Sequence, residues 1–293
     1  MIRNTNDGTR SEPYLRTDIN YGNVANLPAY SSGPKGDARA LHEGVKAAGY
    51  VGLQGGDAAL CREFGLKVSG GGRVNAPAEA EEQARHGREQ GWDCLTLHVG
   101  WGHESDLEMD QLVGAILEAS AKHDLPLYIE THRATITQDT WRTVQMVGRH
   151  PEVRFNGDFS HWYTGLEMRY GDINAKFDFL SPVFERTRFM HGRIGNPGCI
   201  QVGIGAGHGL PYVDHFREMW TRSFAGFLRS ARPGDYFCFA PELLHPQIYY
   251  ARVFPGADGQ EREESDRWAQ AQVLTRIARE CFAQAQQRLR AGK

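Results

Sequence analysis

Apolar and β-branched residues arrive along this chain in short bursts, and the bursts alternate with stretches of helical period. Eight bursts have the length and composition of buried strands: DINYGN (18–23), YVGLQG (50–55), LKVSGG (66–71), CLTLHVG (94–100), LPLYIET (125–131), VRFNGD (153–158), TRFMHG (187–192) and YFCFAPE (236–242). Helical candidates lie between them. DARALHEGVKAAG closes on Gly49, a residue suited to the left-handed position after a helix. After Asn75, an N-cap candidate, APAEAEEQARHGREQG carries a proline in its first turn and Gly91 at its end. Ser105 and Glu108 have the spacing of a capping box ahead of MDQLVGAILEASAKH. The last stretch puts Val273, Leu274, Ile277, Ala278, Cys281, Phe282, Ala285 and Leu289 on one helical face. The charge run EREESDR before it reads as a solvated helix start.

Eight strand–helix repeats with no obvious linker predict an α/β fold, a closed (β/α)8 TIM barrel. It is expected as a single domain over residues 1–293, with residues 1–17 a polar N-terminal extension. A doubly wound open sheet is the alternative, but its dinucleotide fingerprint is missing. GIGAGHG (203–209) puts His208 where the third glycine should fall and follows no convincing strand, so it reads as a flexible loop. SGGGR (69–73) lacks a Walker pattern and is expected to permit a tight turn or a close ligand approach.

Charge narrows the partners. The formal charge is −3 and the pI is near 6.5, so no global positive field attracts a phosphate backbone. A small molecule is the expected partner, nucleic acid and membrane are not, and a homo-oligomer stays open. The N-terminal stretch lacks the apolar core of a signal peptide, and no apolar run is long enough to span a bilayer. Cys61, Cys94, Cys199, Cys238 and Cys281 are scattered without a Cys-x-x-Cys spacing, which favours a reduced, cytoplasmic setting.

Chemistry gathers at the strand ends. The fifth candidate strand ends in YIETH, with Glu130 and His132. The sixth ends in Asp158, within FNGDFSHW, and His161 follows three residues on. The seventh ends in MHGR, with His191 and Arg193, and the eighth in FAPE, with Glu242. In a (β/α)8 barrel these ends converge on one mouth. Three carboxylates crowded there repel one another unless a cation neutralises them. Oxygen-plus-imidazole ligands suit one divalent ion, Mn²⁺ first, with Mg²⁺, Co²⁺, Fe²⁺ or Zn²⁺ as alternatives.

The order Glu, Asp-x-x-His, His, Glu on successive strands resembles the xylose isomerase-like barrels, which include ketose 3-epimerases, hydroxypyruvate isomerases and inosose dehydratases. Residues 130–242 carry the motif. The resemblance implies that Glu130, Asp158, His191 and Glu242 hold one divalent metal and that the two glutamates also move protons. It implies further that His161 and Arg193 contact substrate oxygens. Here the arginine stands only two residues after His191, and ETHRAT sets His132 and Arg133 beside the first ligand. His132 is a further candidate base, because strand alternation turns Thr131 away and His132 back toward the mouth. His98, closing the fourth strand, either touches substrate or bonds its loop. Trp101 and Trp162 either stack on a sugar ring or roof the pocket. Arg154 and Arg188 are expected in structural ion pairs.

The elementary chemistry agrees. A metal chelating a carbonyl and its neighbouring hydroxyl acidifies the adjacent carbon-bound hydrogen. One glutamate removes that proton and another, on the opposite face, returns it. The expected activity is therefore a sugar or keto-sugar isomerase or epimerase. A lyase on the same scaffold, of the inosose-dehydratase type or cleaving 3-keto-glycosides, is the alternative. A zinc endonuclease at abasic sites fits less well, since the third strand ends in Ser69 and glycines, and Asp214 and His215 are adjacent rather than split. A non-catalytic sugar-binding protein would have no need of so many grouped carboxylates.

Overall fold

A computed structural model describes residues 1–292. Eight short runs rich in buried residues pair side by side in parallel: Tyr14–Asn20, Gly52–Gln54, Lys67–Val74, Leu95–Val99, Leu127–Glu130, Phe155–Asn156, Thr187–Gly192 and Asp235–Pro241. They are numbered here as barrel strands one to eight. The eighth pairs with both the seventh and the first, His191 lying opposite Ala240 and Tyr14 opposite Tyr236, so the sheet closes into a barrel. Closure leaves no strand edge, and the helices between strands cover the outside. The expected single-domain TIM barrel is observed, and all eight expected strands are present.

Local signals account for many helix bounds. Asp37 caps Ala38–Ala47 by accepting from the Ala40 N–H at 2.9 Å, and Gly49 beyond it has φ +85°. The Ser105–Glu108 capping box forms at the start of Asp106–His123. Asn75 does not cap Pro77–Gln90. Ala76 occupies the cap position, and Glu79 reaches back to accept from the Asn75 N–H at 2.6 Å. Arg267–Ala291, the last helix, buries Leu274, Ile277, Ala278, Cys281, Phe282 and Ala285. None of the helices among the described residues is long and apolar enough to cross a membrane.

Four expectations are corrected. Residues 1–17 are not an extension: Thr5–Asn6 pairs antiparallel with the start of strand eight, and strand one already begins at Tyr14. Ile2 is buried there, which a polar average conceals. The EREESDR run is not a helix start, because Glu261–Glu263 form a hairpin with Val253–Pro255 and the helix begins only at Arg267. Among the described residues Arg154 and Arg188 form no ion pair: their guanidinium groups donate instead to main-chain and neutral side-chain oxygens. Of the two roles expected of the SGGGR glycines, the turn is absent, while Gly71 and Gly72 border a cavity. They lie inside strand three, where a Cβ on Gly70 would meet the Trp92 ring at 2.1 Å. Gly70 is thus the floor on which Trp92 packs, whereas Gly71 has only Thr96 Oγ1 near, at 4.0 Å.

Those two neighbouring glycines make a controlled comparison. Gly70→Ala should cost about 1–3 kcal/mol by overpacking, lowering the melting temperature by several degrees. Gly71→Ala should stay within about 1 kcal/mol of the parent. Urea unfolding of both variants checks this, and equal losses would show that Trp92 packing is not what Gly70 serves.

Candidate metal centre

Strand polarity sets the site. Glu130 is the last residue of strand five, His191 the penultimate residue of strand seven, and Glu242 follows strand eight directly. Asp158 lies just past strand six, which is short because Gly157 and Asp158 leave the regular ladder. One ligand atom from each of the four lies within 4.8 Å of all the others. Donors about 2.1 Å from a shared ion stand at most about 4.2 Å apart. Shifts of a few tenths of an ångström per side chain therefore close the quartet around one ion, and its three carboxylates and one imidazole suit a divalent cation.

Neutral polar groups orient the ligands. His191 Nε2 lies 2.9 Å from Gln54 Oε1, so the proton belongs on Nε2 when the ring is neutral. Nδ1 then faces Glu242 at 3.3 Å, Glu130 at 3.5 Å and Asp158 at 3.7 Å. This is how a ligating histidine is commonly held, with its other nitrogen fixed by a partner behind it. Asn156 Nδ2 donates to Glu130 at 3.1 Å, and Asn20 Nδ2 donates to Glu242 at 3.0 Å and to Gln54 at 2.9 Å. Ser160 donates to Asp158 at 2.5 Å and accepts from Arg193 Nε at 3.0 Å. Asn20, Gln54, Asn156 and Ser160 were not among the expected site residues. A signal existed for the first three, which are amides standing last in their strands.

Charge is balanced within the cluster. Burial would raise the Glu130 carboxyl, but His191 and His98 outweigh it and hold it well below the usual carboxylate range. Burial likewise opposes the charged form of His191, yet Glu242 and Glu130 keep its imidazolium well above the ordinary histidine value. Asp158 is held low against burial, chiefly by Arg193 and then His161. Glu242 is raised, because burial and the other two carboxylates outweigh His191 and Arg193. Arg193 bonds Asp158 closely through Nη2 and reaches Glu242 through Nη1 at 3.2 Å.

A cavity of about 570 Å³ opens over one side of the quartet. Glu130, His191 and Glu242 lie on its floor, and Asn20, Gln54, Thr96, Arg73 and His98 line its walls. His98 is therefore placed to meet a ligand, its Nε2 3.2 Å from Glu130. His132 returns toward the mouth as strand alternation required, its ring between His98 (4.1 Å) and His161 (3.7 Å). His98, Glu130 and His132 also converge as a ligand-like group. Burial pushes His132 down to about 4, leaving it neutral at pH 7 and a weak base.

Other expected contacts are placed differently. His161 and Arg193 are 2% and 1% exposed, and the cavity does not reach them. Tyr250 covers them, its ring 4.6 Å from the Arg193 guanidinium and 6.4 Å from the His161 ring. In this conformation they brace Asp158 and Glu242 instead of facing a ligand. Nothing local in the sequence pointed to Tyr250. Trp162 neither stacks on a ligand nor lines the cavity: it is buried against Phe159, and its indole donates to the Thr137 carbonyl at 2.7 Å. Trp101 is exposed at the rim, with the Arg73 guanidinium 4.0 Å over its ring.

No protein-family model matches the chain. No curated protein sequence matches it either. Several solved structures share its fold. A D-tagatose 3-epimerase-like protein aligns with TM-score 0.55 at 10% identity, over 94% of this chain and 100% of that one. A probable 3-DHS dehydratase from Bacillus anthracis aligns with TM-score 0.53 at 14% identity, over 80% of this chain and 94% of the other. A xylose isomerase-like TIM barrel protein from Mycobacterium smegmatis, in complex with magnesium, aligns with TM-score 0.51 at 12% identity, over 92% and 98%. The chain thus has the fold of the xylose isomerase-like TIM barrels.

Proposed function

We propose that this protein is a divalent-metal-dependent isomerase or epimerase that moves a proton on a carbon beside a carbonyl in a sugar or keto-sugar. One observation carries the reading: two glutamates, an aspartate and a histidine converge within 4.8 Å, and the glutamates and the histidine border a cavity at the barrel mouth. Glu130, Asp158, His191 and Glu242 would hold the ion, Mn²⁺ in first place for so oxygen-rich a set with one imidazole, and Mg²⁺ next. When bound, the ion supplies Lewis acidity that polarises the substrate carbonyl. The protein's residues do the remainder. Glu130 and Glu242, on strands five and eight, approach the floor from different sides, so one carboxylate takes the carbon-bound proton and the other delivers one to the opposite face. Asn20, Gln54, Thr96, Arg73 and His98 line the cavity with donors and acceptors suited to hydroxyl groups. Tyr250 must move before His161 and Arg193 reach substrate oxygens.

A lyase is the second reading, favoured by the His98 imidazole 3.2 Å from Glu130, where it could protonate a leaving group. The probable dehydratase among the similar structures is consistent with it.

Metal analysis of the purified chain should find up to one divalent ion per protein, lost on chelation together with activity. Because His191 binds its proton more tightly than an ordinary histidine, an incoming ion must expel that proton. Affinity should then rise with pH, up to about tenfold per unit, until His191 is neutral. Calorimetry in buffers of different ionisation enthalpy reads the released proton directly, and pH-independent binding would remove His191 from the ligand set.

Side-chain roles separate by variant. Glu130→Gln and Glu242→Gln should each lower turnover by about 10²–10⁴ and weaken metal retention, since ligand and base are one group. Gln54→Leu should weaken metal binding by about 10–100-fold through loss of the His191 partner. His98→Ala should leave metal content unchanged while raising KM or lowering kcat. Metal loss in His98→Ala would contradict this division.

The fate of the proton decides between the two reactions. Turnover in D₂O by an isomerase or epimerase leaves the carbon skeleton intact, the product either unchanged in mass or raised by a carbon-bound deuterium. A lyase gives an unsaturated or fragmented product visible by mass spectrometry. A panel of ketoses and 3-keto-glycosides yielding only eliminated products would replace the first reading with the second.

A further inference from the structure

At the opposite end of the barrel, where strands begin, lies a second cavity of about 440 Å³, well within the size range of small-ligand sites. Four arginines line it, Arg3, Arg154, Arg188 and Arg232, against a single carboxylate, Asp235. Arg154 directly precedes strand six and Arg188 is the second residue of strand seven, so parallel pairing brings the two side by side. They are 7% and 3% exposed.

Buried guanidinium groups are normally paired with carboxylates, because removing such a charge from water costs several kcal/mol. These two are not. Arg154 donates through Nη1 to the Pro151 and Val153 carbonyls, at 3.1 and 2.7 Å. Its buried Nε has no partner, and its Nη2 makes no hydrogen bond among the described residues. Arg188 donates to Asn4 Oδ1 at 2.6 Å, to the Glu185 and Thr187 carbonyls, both at 2.8 Å, and to Ser230 Oγ at 3.0 Å. Burial, then the neighbouring Arg154 charge, pulls Arg188 down to about 10, still protonated at neutral pH.

Of the carboxylates nearby, Glu152 and Asp235 act on Arg154 and Arg188 from beyond ion-pair distance, and two are held by other groups. Asp124 pairs with Arg3 at 2.7 Å. Asp235 is held by the Asn4 and Asn6 amides, both at 2.8 Å, and by the Arg232 N–H at 2.9 Å. The cavity therefore keeps an excess of positive charge, and Arg154 in its lining, itself more than nine-tenths buried, has an Nη2 with no hydrogen-bond partner among the described residues.

We propose that this cavity binds a small oxyanion, a phosphate- or carboxylate-bearing metabolite, with Arg154 and Arg188 donating from its floor and Arg232 and Arg3 from its rim. A guanidinium fork matches either group with two parallel hydrogen bonds, and an anion there supplies the counter-charge that neither arginine has at ion-pair distance among the described residues. The site is separate from the metal centre. Arg188 and His191 are three residues apart on one strand, roughly 10 Å along it.

Titration calorimetry and thermal unfolding of the intact, metal-loaded protein test the site, with inorganic phosphate, pyrophosphate and citrate as probes. Sodium chloride at matched ionic strength is the control. One saturable site per chain is expected for at least one probe, with a melting temperature that rises along the same curve. The first two probes against the third tell phosphate from carboxylate chemistry. Arg154→Gln and Arg232→Gln should each weaken binding at least tenfold and leave the metal content unchanged. Arg232 is exposed at the rim, so its variant decides the matter even where Arg154→Gln does not fold. No saturable binding of any probe would overturn the proposal. So would a loss under tenfold in the folded variants, or binding abolished by Arg73→Gln at the mouth and kept in Arg232→Gln.

Discussion

Mutual repulsion among Glu130, Asp158 and Glu242 is the constraint on which the rest of the mouth depends. Their oxygens share a space 4.8 Å across, where two like charges oppose each other by about 3.5 kcal/mol at an effective dielectric of 20. Such a cluster needs donors and counter-charge on its carboxylate oxygens. The surroundings are accordingly donors: His191 at its centre, Arg193 across Asp158 and Glu242, and the amides of Asn20 and Asn156 on single carboxylate oxygens. Gln54 sits one layer further out and sets which His191 nitrogen faces the carboxylates. A cluster so well supplied with counter-charge can hold its geometry until a cation arrives, which is the arrangement that metal-assisted proton transfer needs.

The two ends of the barrel carry opposite character, and the same strands supply both. Strand seven carries Arg188 next to its start and His191 next to its end, while the segment around strand six runs from Arg154 to Asp158. Because all eight strands run in parallel, every strand start lies at one end and every strand finish at the other. A few residues of register thus separate a basic cavity from an acidic one, with a packed interior between. That interior is not wholly apolar: Arg16 and Asp18, two apart on strand one and so on the same face, are fully buried and paired at 2.7 Å.

How much of this could be read in advance depended on range along the chain. Strand length and apolar content are local, and they located all eight strands within a few residues. Cap signals are local too, as Ser105 with Glu108 and Asp37 illustrate. The quartet was legible because the parallel barrel turns a local property, being last in a strand, into a shared place. Asn20 and Gln54 end their strands by the same rule and could have been added. Trp162 misled because its proximity to His161 in sequence is undone by the short helix Ser160–Gly165, which turns the indole inward onto the Thr137 carbonyl. Arg154 and Arg188 misled differently. Ion pairing was the default for buried arginines, and only the folded chain shows that, among the described residues, no carboxylate comes within ion-pair distance.

By itself, then, the sequence determined the barrel, its strand boundaries to within a few residues, and which four side chains end strands five to eight. Each of these follows from interactions among residues near in the chain, repeated eight times and closed by the absence of any better way to bury so many apolar strands. The tertiary structure decided the remainder: that Tyr250 seals His161 and Arg193 beneath its ring, that the cavity opens toward Arg73 and His98 instead, and that two arginines at the barrel base have no carboxylate at ion-pair distance among the described residues. These depend on contacts between segments far apart in sequence. Such contacts leave no periodicity or spacing behind, because their geometry exists only once the barrel has closed.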